Sequence, residues 1–313
     1  MPLRQVTVLG ECVADAFTDG TRGPDGELGL RVHPGGGPAN TAVALARLGT
    51  PTRFLGRLSG DVFGRLFRAH LAESGVDLSG CVPAAEPSTL AVADLDGDGQ
   101  AVYSFHAEGT ADWQWSTPEL AAEPAGRPAC VHTGSLALVR HPGGTAIEEF
   151  LARASAEATV SIDPNVRPLL VDPAVYRERL DRWCALADLL RLSEDDLARL
   201  LPGTAPEAAC DRWHAAGARL VVITLGARGA LASLDGHRIT VPAAPVPVLA
   251  DTVGAGDAFT AGLLHHLGTL DRLGGRLDAL TPDDLAAACR FAARTAALTC
   301  ASPGANPPWA HQL

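Results

Sequence analysis

Residues 251–264 read DTVGAGDAFTAGLL, a run of small residues that breaks into a helical apolar pattern. Glycines at 254 and 256 let the backbone bend so that successive N–H groups point outward, and the helix that follows adds partial positive charge at its N-terminus. Such a turn holds an anion without lysine. That matters because the sequence contains no lysine: all 25 basic residues are arginine, which excludes the lysine-dependent P-loop. Asp257 falls in the first helical turn. By position alone it caps the helix and complements its dipole. Beside backbone donors that hold a transferring phosphoryl group, it is also placed to take a proton from an attacking hydroxyl. A dinucleotide site fails on spacing, since GAGDAF carries Phe259 where a glycine is needed and lies far from the first strand–helix turn.

A second glycine cluster, Gly35-Gly36-Gly37-Pro38-Ala39-Asn40, precedes a helix, and the same fingerprint fails there because its sixth position is Asn. Its plain reading is a flexible connection into a proline-started helix. Its functional reading is close approach of a polyhydroxylated ligand to bare backbone, with the Asn40 amide offering donor and acceptor to sugar hydroxyls. Asp15 follows the first strand and offers a carboxylate to the same hydroxyls. Alone, either residue is a turn former.

Around these two segments, strand-like runs alternate with helix-length stretches: VTVLG at 6–10, TRFLG at 52–56, CVHTG at 130–134, TVSID at 159–163 and LVVIT at 220–224. This alternation predicts an α/β fold with a mostly parallel sheet covered on both faces. Helices are expected over Ala39 to Leu48, Asp61 to Ser74 and Asp257 to Leu267, each stopped by a glycine at 49, 75 or 268. Residues 88–106 depart from the alternation. TLAVADL and AVYSF flank Asp96-Gly97-Asp98-Gly99, a hairpin signature. With Gly29 to His33 and Ala14 to Thr18 they make a small separate sheet, suited to cover one end of the main one.

Composition narrows the function. A 313-residue chain with 47% hydrophobic and 19% charged residues is globular, and no apolar run is long enough to cross a bilayer. A net charge of −11 without a basic run argues against a nucleic-acid partner. The start shows no secretory pattern, so a cytoplasmic location is expected. The seven scattered cysteines form no CxxC pair and are read as small buried apolar residues. His265 and His266 are adjacent, and neighbours on a helix point about 100° apart, so no zinc site is read.

Taken together, GECVAD at 10–15, HPGGGPANTAVALARLG at 33–49, LGRLSGDVFG at 55–64 with GVD at 75–77, DPNVRP at 163–168, ITLGARGAL at 223–231 and DTVGAGDAFTAGLL resemble the ribokinase-like sugar kinases, fructokinase-type members in particular. The resemblance covers nearly the whole chain. It implies one domain over residues 1–313, a three-layer sandwich with a β lid from about 12–33 and 88–112. It also implies ATP-dependent phosphorylation of a sugar hydroxyl. Asp257 would be the general base, with Gly254, Ala255 and Gly256 as the anion hole. Asp15, Gly36, Gly37 and Asn40 would hold the sugar, with Tyr103, Phe105 and Arg167 nearby. The nucleotide would lie along Ser193, Thr224, Gly226, Gly229 and Asn306. Asp251 and the backbone of Val253, with the C-terminal stretch Ser302 to Asn306, would bind a monovalent cation such as K⁺.

The sequence departs from the family where ribokinase-type members carry Asn-x-x-Glu near magnesium. Here Ser193-Glu194-Asp195-Asp196 stands. Asp196 keeps a carboxylate for Mg²⁺ through water, Glu194 and Asp195 compete for that role, and the plain alternative is an N-capped helix beginning at Ser193. His106 stands where many of these kinases place a substrate-binding arginine.

Fructose or a related ketohexose, phosphorylated at a primary hydroxyl, is the expected substrate, from DPNVRP with Arg167 and GTADW with Asp112. A 2-keto-3-deoxygluconate or nucleoside kinase is the alternative within the family, and a non-catalytic sugar-binding regulator the alternative outside it. A homodimer through the lid is a further expectation.

Overall fold

The computed structural model describes residues 3–23, 25–95, 101–121, 127–246 and 248–313. In chain order the first half forms β1 (Val6–Leu9), β2 (Val13–Arg22), β3 (Leu28–Gly35), α1 (Gly37–Arg47), β4 (Thr52–Leu55), β5 (Arg57–Ser59), α2 (Val62–Glu73), β6 (Val82–Ala84), β7 (Thr89–Leu95), β8 (Ala101–His106) and α3 (Thr117–Ala121). The second half forms β9 (Cys130–Gly134), α4 (Ser135–Val139), α5 (Gly143–Ala154), β10 (Thr159–Asp163), α6 (Pro173–Leu186), β11 (Leu189–Ser193), α7 (Glu194–Leu200), α8 (Pro206–Ala215), β12 (Leu220–Thr224), β13 (Ala230–Leu234), β14 (His237–Val241), α9 (Ala255–Thr269) and α10 (Pro282–Cys300).

The main sheet runs in the order β14-β13-β12-β11-β10-β9-β1-β4. Strands β12 to β4 are parallel, and β13 and β14 add an antiparallel edge. Successive residues of one strand serve opposite cores. Leu189, Leu220 and Val222 pack with α1, α2, α9 and α10, whereas Leu190, Leu192, Val221 and Ile223 pack with α3 to α8. Burial on both faces is why these strands read as continuous apolar runs. The sequence reading passes over β11, because Arg191 interrupts its run.

Helix boundaries need two corrections. α1 starts at Gly37, with Pro38 in its first turn, rather than at Ala39. Gly49 and Gly75 do end α1 and α2, each one residue beyond the C-cap and with positive φ. Gly268 ends nothing: α9 starts at Ala255 and passes through it to Thr269, with Leu270 as C-cap. A glycine stops a helix by turning left-handed, and Gly268 keeps an ordinary φ.

A second sheet, β3-β2-β7-β8, joins two antiparallel pairs through the parallel pairing of β2 with β7. These are the strands expected for the lid; the turn at 96–99 lies outside the described residues. The sheet is gathered at one carboxylate. Asp112, buried just beyond β8, accepts from the Cys12 backbone N–H at 2.9 Å and from the Thr89 hydroxyl at 2.6 Å, and the Thr89 and Thr110 hydroxyls bond at 2.6 Å.

All seven cysteines are free; five are buried, while Cys81 and Cys300 are half-buried. His265 and His266 both stack on Phe291. Among the described residues no cluster suits a metal ion and no helix is long and apolar enough to cross a membrane.

Candidate active site

The residues singled out in sequence converge beyond the carboxyl ends of β1, β9, β10, β11 and β12, where open α/β sheets bind ligands. Gly254 is the N-cap of α9 with φ 76°, a left-handed conformation that suits glycine, and no side chain caps the helix. The first-turn amides are therefore free of a side-chain acceptor, which fits an anion. Gly256, in contrast, is helical. Its need for glycine is spatial: a Cβ there would fall 2.8 Å from Arg191 Nη1.

Asp257 does not cap its own helix. Its Oδ2 accepts from Asn40 Nδ2 at 2.9 Å, so α1 and α9 meet at the proposed base. Burial, the largest influence, lifts its pKa to about 6; the Asn40 bond lowers it, Asp163 raises it, and Arg167 and Arg191 lower it. Asp15, on β2, is raised to about 6 as well, by burial first, then lowered by Arg167 and raised by Asp257. The two carboxylates therefore feel each other across the cleft. Gly36 has φ 103° and a Cβ on it would lie 2.5 Å from the Glu11 carbonyl oxygen, so glycine is required where α1 begins. A Cβ on Gly37 would meet the Asn165 amide at 2.6 Å. A narrow cleft between Gly37, His132, Asp163, Asn165 and Asp257 marks the floor.

Register places the lid residues. Asp15, Ala91 and Phe105 form one cross-strand row, and Phe17, Ala93 and Tyr103 the next on the same face. Tyr103 and Phe105 stack with centroids 5.9 Å apart. His106 pairs with Leu90 in the adjacent row and so belongs to the opposite face from Asp15.

The pfkB family carbohydrate kinase model matches residues 3–312. The chain belongs to the pfkB family of carbohydrate kinases. It is 39% identical over 297 residues to a fructokinase of Klebsiella pneumoniae, covering 93% of this chain and 94% of that one. Its fold, ribokinase-like with the mostly parallel sheet described above, matches the fructokinase of Xylella fastidiosa solved with bound ATP (TM-score 0.86, 28% identity, 96% and 93% coverage). It also matches the Vibrio cholerae O395 fructokinase solved with fructose, ADP and calcium ion (TM-score 0.83, 27% identity, 97% and 95% coverage). A double mutant of the latter was solved with fructose, ADP and potassium ion (TM-score 0.82, 28% identity, 97% and 94% coverage).

Within this sugar kinase, the other expected residues sort by their bonds. Ser193 and Asp196 form a capping box, with Asp196 Oδ2 on the Ser193 hydroxyl at 2.6 Å and Oδ1 accepting from the Val166 N–H at 2.9 Å. The plain alternative for this segment is thus built. Both Asp196 oxygens are thus occupied by bonds within the protein. Glu194 pairs with Arg228 at the surface. Thr224 accepts from Arg191 Nη2 at 2.8 Å. Gly226 and Gly229 shape the turn between β12 and β13, both with positive φ. Asp251 accepts from the N–H groups of Thr252, Val253 and Gly304, pinning the C-terminal loop to the turn before α9. That loop is held from its other side by Arg47, which donates to Asn306 Oδ1 at 2.7 Å and lies over Trp309. Arg167, exposed, faces Asp15 and Asp257 closely enough to lower both pKa values.

Sequence reasoning missed Arg191, Asp163, His132 and Glu11. Glu11 is buried at the end of β1, its Oε2 accepting from the Ala137 N–H at 3.1 Å, and burial pushes its pKa up to about 7. The signal for Asp163 was present in DPNVRP, from which only Arg167 was drawn.

Proposed function

We propose that this kinase phosphorylates fructose or a related ketohexose at a primary hydroxyl, using the γ-phosphate of ATP. The observation that carries this is Asp257. It lies in the first turn of an uncapped helix, held by Asn40 from the opposite wall, with a pKa lifted toward neutrality. In that place it takes the hydroxyl proton as the oxygen attacks phosphorus, while the amides of Gly254, Ala255 and Gly256 receive the charge on the transferring group. Asp15, Gly36, Gly37, Asn40 and Arg167 hold the sugar, and Tyr103 and Phe105 cover it as the second sheet acts as a lid. ATP lies along Ser193, Thr224, Gly226, Gly229 and Asn306. Mg²⁺, held through water near Asp196, would neutralise phosphate charge. K⁺ would sit by Asp251 and the Val253 backbone. The scattered free cysteines and the use of ATP support a cytoplasmic location, and the exposed Val102 on the lid supports a homodimer there.

Fructose as substrate is supported by the fructokinases among the relatives. An ADP-release screen over fructose, ribose, adenosine and 2-keto-3-deoxygluconate tests it. Fructose is expected to have the highest kcat/KM; adenosine or the keto acid preferred tenfold overturns the substrate while leaving the kinase. Sugar binding without ADP production would favour a regulator.

A further inference from the structure

Beneath the first turn of α9 lies a buried ion pair that the reaction described above does not use. Arg191, on β11, donates from Nη1 to Asp163 Oδ2 at 2.7 Å and from Nη2 to Thr224 Oγ1 at 2.8 Å. Asp163 ends β10 and Thr224 ends β12. One guanidinium on the strand between them therefore ties three adjacent strands at their carboxyl ends. It also lies 5.8 Å from the Phe259 ring centroid and against the α-carbon of Gly256, and both of those residues belong to α9. The two side chains are 6% and 7% exposed, and Arg191 Nε has no hydrogen-bond partner.

A buried pair of this kind is weak support for stability, because apolar residues of similar volume often replace one without loss. Its position favours another use. Asp257 follows Gly256 directly. The groups that face its carboxylate are the Asn40 amide on α1, Asp15 on β2, His132 on β9, Asp163 on β10, Arg167 just after β10, and Arg191 on β11. Burial pushes the His132 pKa down to about 3, so that ring is neutral and adds no charge. Asp163 and Arg191 act on Asp257 with opposite signs, the first raising and the second lowering its proton affinity.

We propose that Arg191 is a positioning residue: braced by Asp163 and Thr224, its guanidinium seats the first turn of α9 and, with Asp163, sets the charge balance at the Asp257 carboxylate. This rests on Asp257 as the base. The test is kcat/KM against pH for Arg191→Met, Arg191→Lys, Asp163→Asn and the double variant Asp163→Asn with Arg191→Met. Removing the arginine leaves Asp163 uncompensated, so the acid limb moves up by about one pH unit; removing the aspartate moves it down by about as much. The double variant returns near the wild-type limb, and Arg191→Lys leaves it in place. A purely structural role would lower kcat in both single variants without opposed shifts, and that result overturns the proposal. If Arg191→Met does not fold, Asp163→Asn and the double variant decide, since neither leaves a lone buried carboxylate at 163: an unmoved limb in Asp163→Asn overturns it. Retained turnover in Asp257→Asn overturns the base assignment, and is read without any Arg191 variant.

Discussion

Asn40 Nδ2 donates to Asp257 Oδ2 at 2.9 Å, joining two residues 217 positions apart in the chain. The bond holds a carboxylate that lines the cleft instead of capping its own helix.

Asp257→Asn is therefore expected to lower kcat by roughly two to four orders of magnitude, the range for a positioned general base. The amide fills the same space but cannot accept the proton, so ATP affinity is expected to persist. Turnover within threefold of wild type would remove Asp257 from the chemistry.

Activity should fall on the acid side. A base works deprotonated, and Asp257 carries a pKa of about 6, so kcat/KM is expected to drop tenfold per unit below pH about 6. Asp15, also near 6 and in electrostatic contact, makes this limb a property of the pair. A profile flat down to pH 5 contradicts it.

Gly256→Val drives a branched carbon into the Arg191 guanidinium beneath the turn, its Cβ 2.8 Å from Nη1, and so displaces the first-turn amides. Activity is expected to fall more than for Arg127→Ala, which removes only an exposed pair with Glu157. Comparable kcat/KM in the two folded variants, with circular dichroism as the check, would locate the anion hole elsewhere.

Glu11 makes a stability prediction. Its folded pKa of about 7 lies above the ordinary 4.5, so between those values the folded state binds more protons, and stability falls as pH rises from 4.5 to 7. Glu11→Gln keeps an acceptor for the Ala137 N–H and removes this slope. Its stability relative to wild type is expected to rise by about 3 kcal/mol between pH 4.5 and 7.5. Parallel denaturation curves across that range would contradict the burial of an ionising Glu11.

The sheet was legible where strands are uninterrupted. VTVLG, CVHTG, TVSID and LVVIT are mostly apolar because both of their faces are covered, and their short length and alternation with helix-length stretches reveal that. LLRLS was illegible because Arg191 looks like a surface residue until Asp163, 28 positions earlier, is placed beside it. Asn40 and Asp257 were legible through the glycines before them, and Asp15 through its place just after the first strand. Glu11 stands in the quoted GECVAD beside Gly10, but its burial depends on Ala137, 126 positions away, which the sequence does not bring to it. Gly268 misled because a helix end depends on backbone conformation and packing, which composition does not record.

The Asp112 carboxylate takes one bond from the start of β2 and one from the start of β7, and Thr89 links it to the exit from β8. Both hairpins of the small sheet are thereby riveted to a common hinge pin. Any swing of that sheet carries Asp15, Phe17, Tyr103 and Phe105 together as a single door leaf. If Asp15 holds the sugar and the rings cover it, as proposed above, they would arrive in the same movement, so that gripping the substrate and excluding water would be one event.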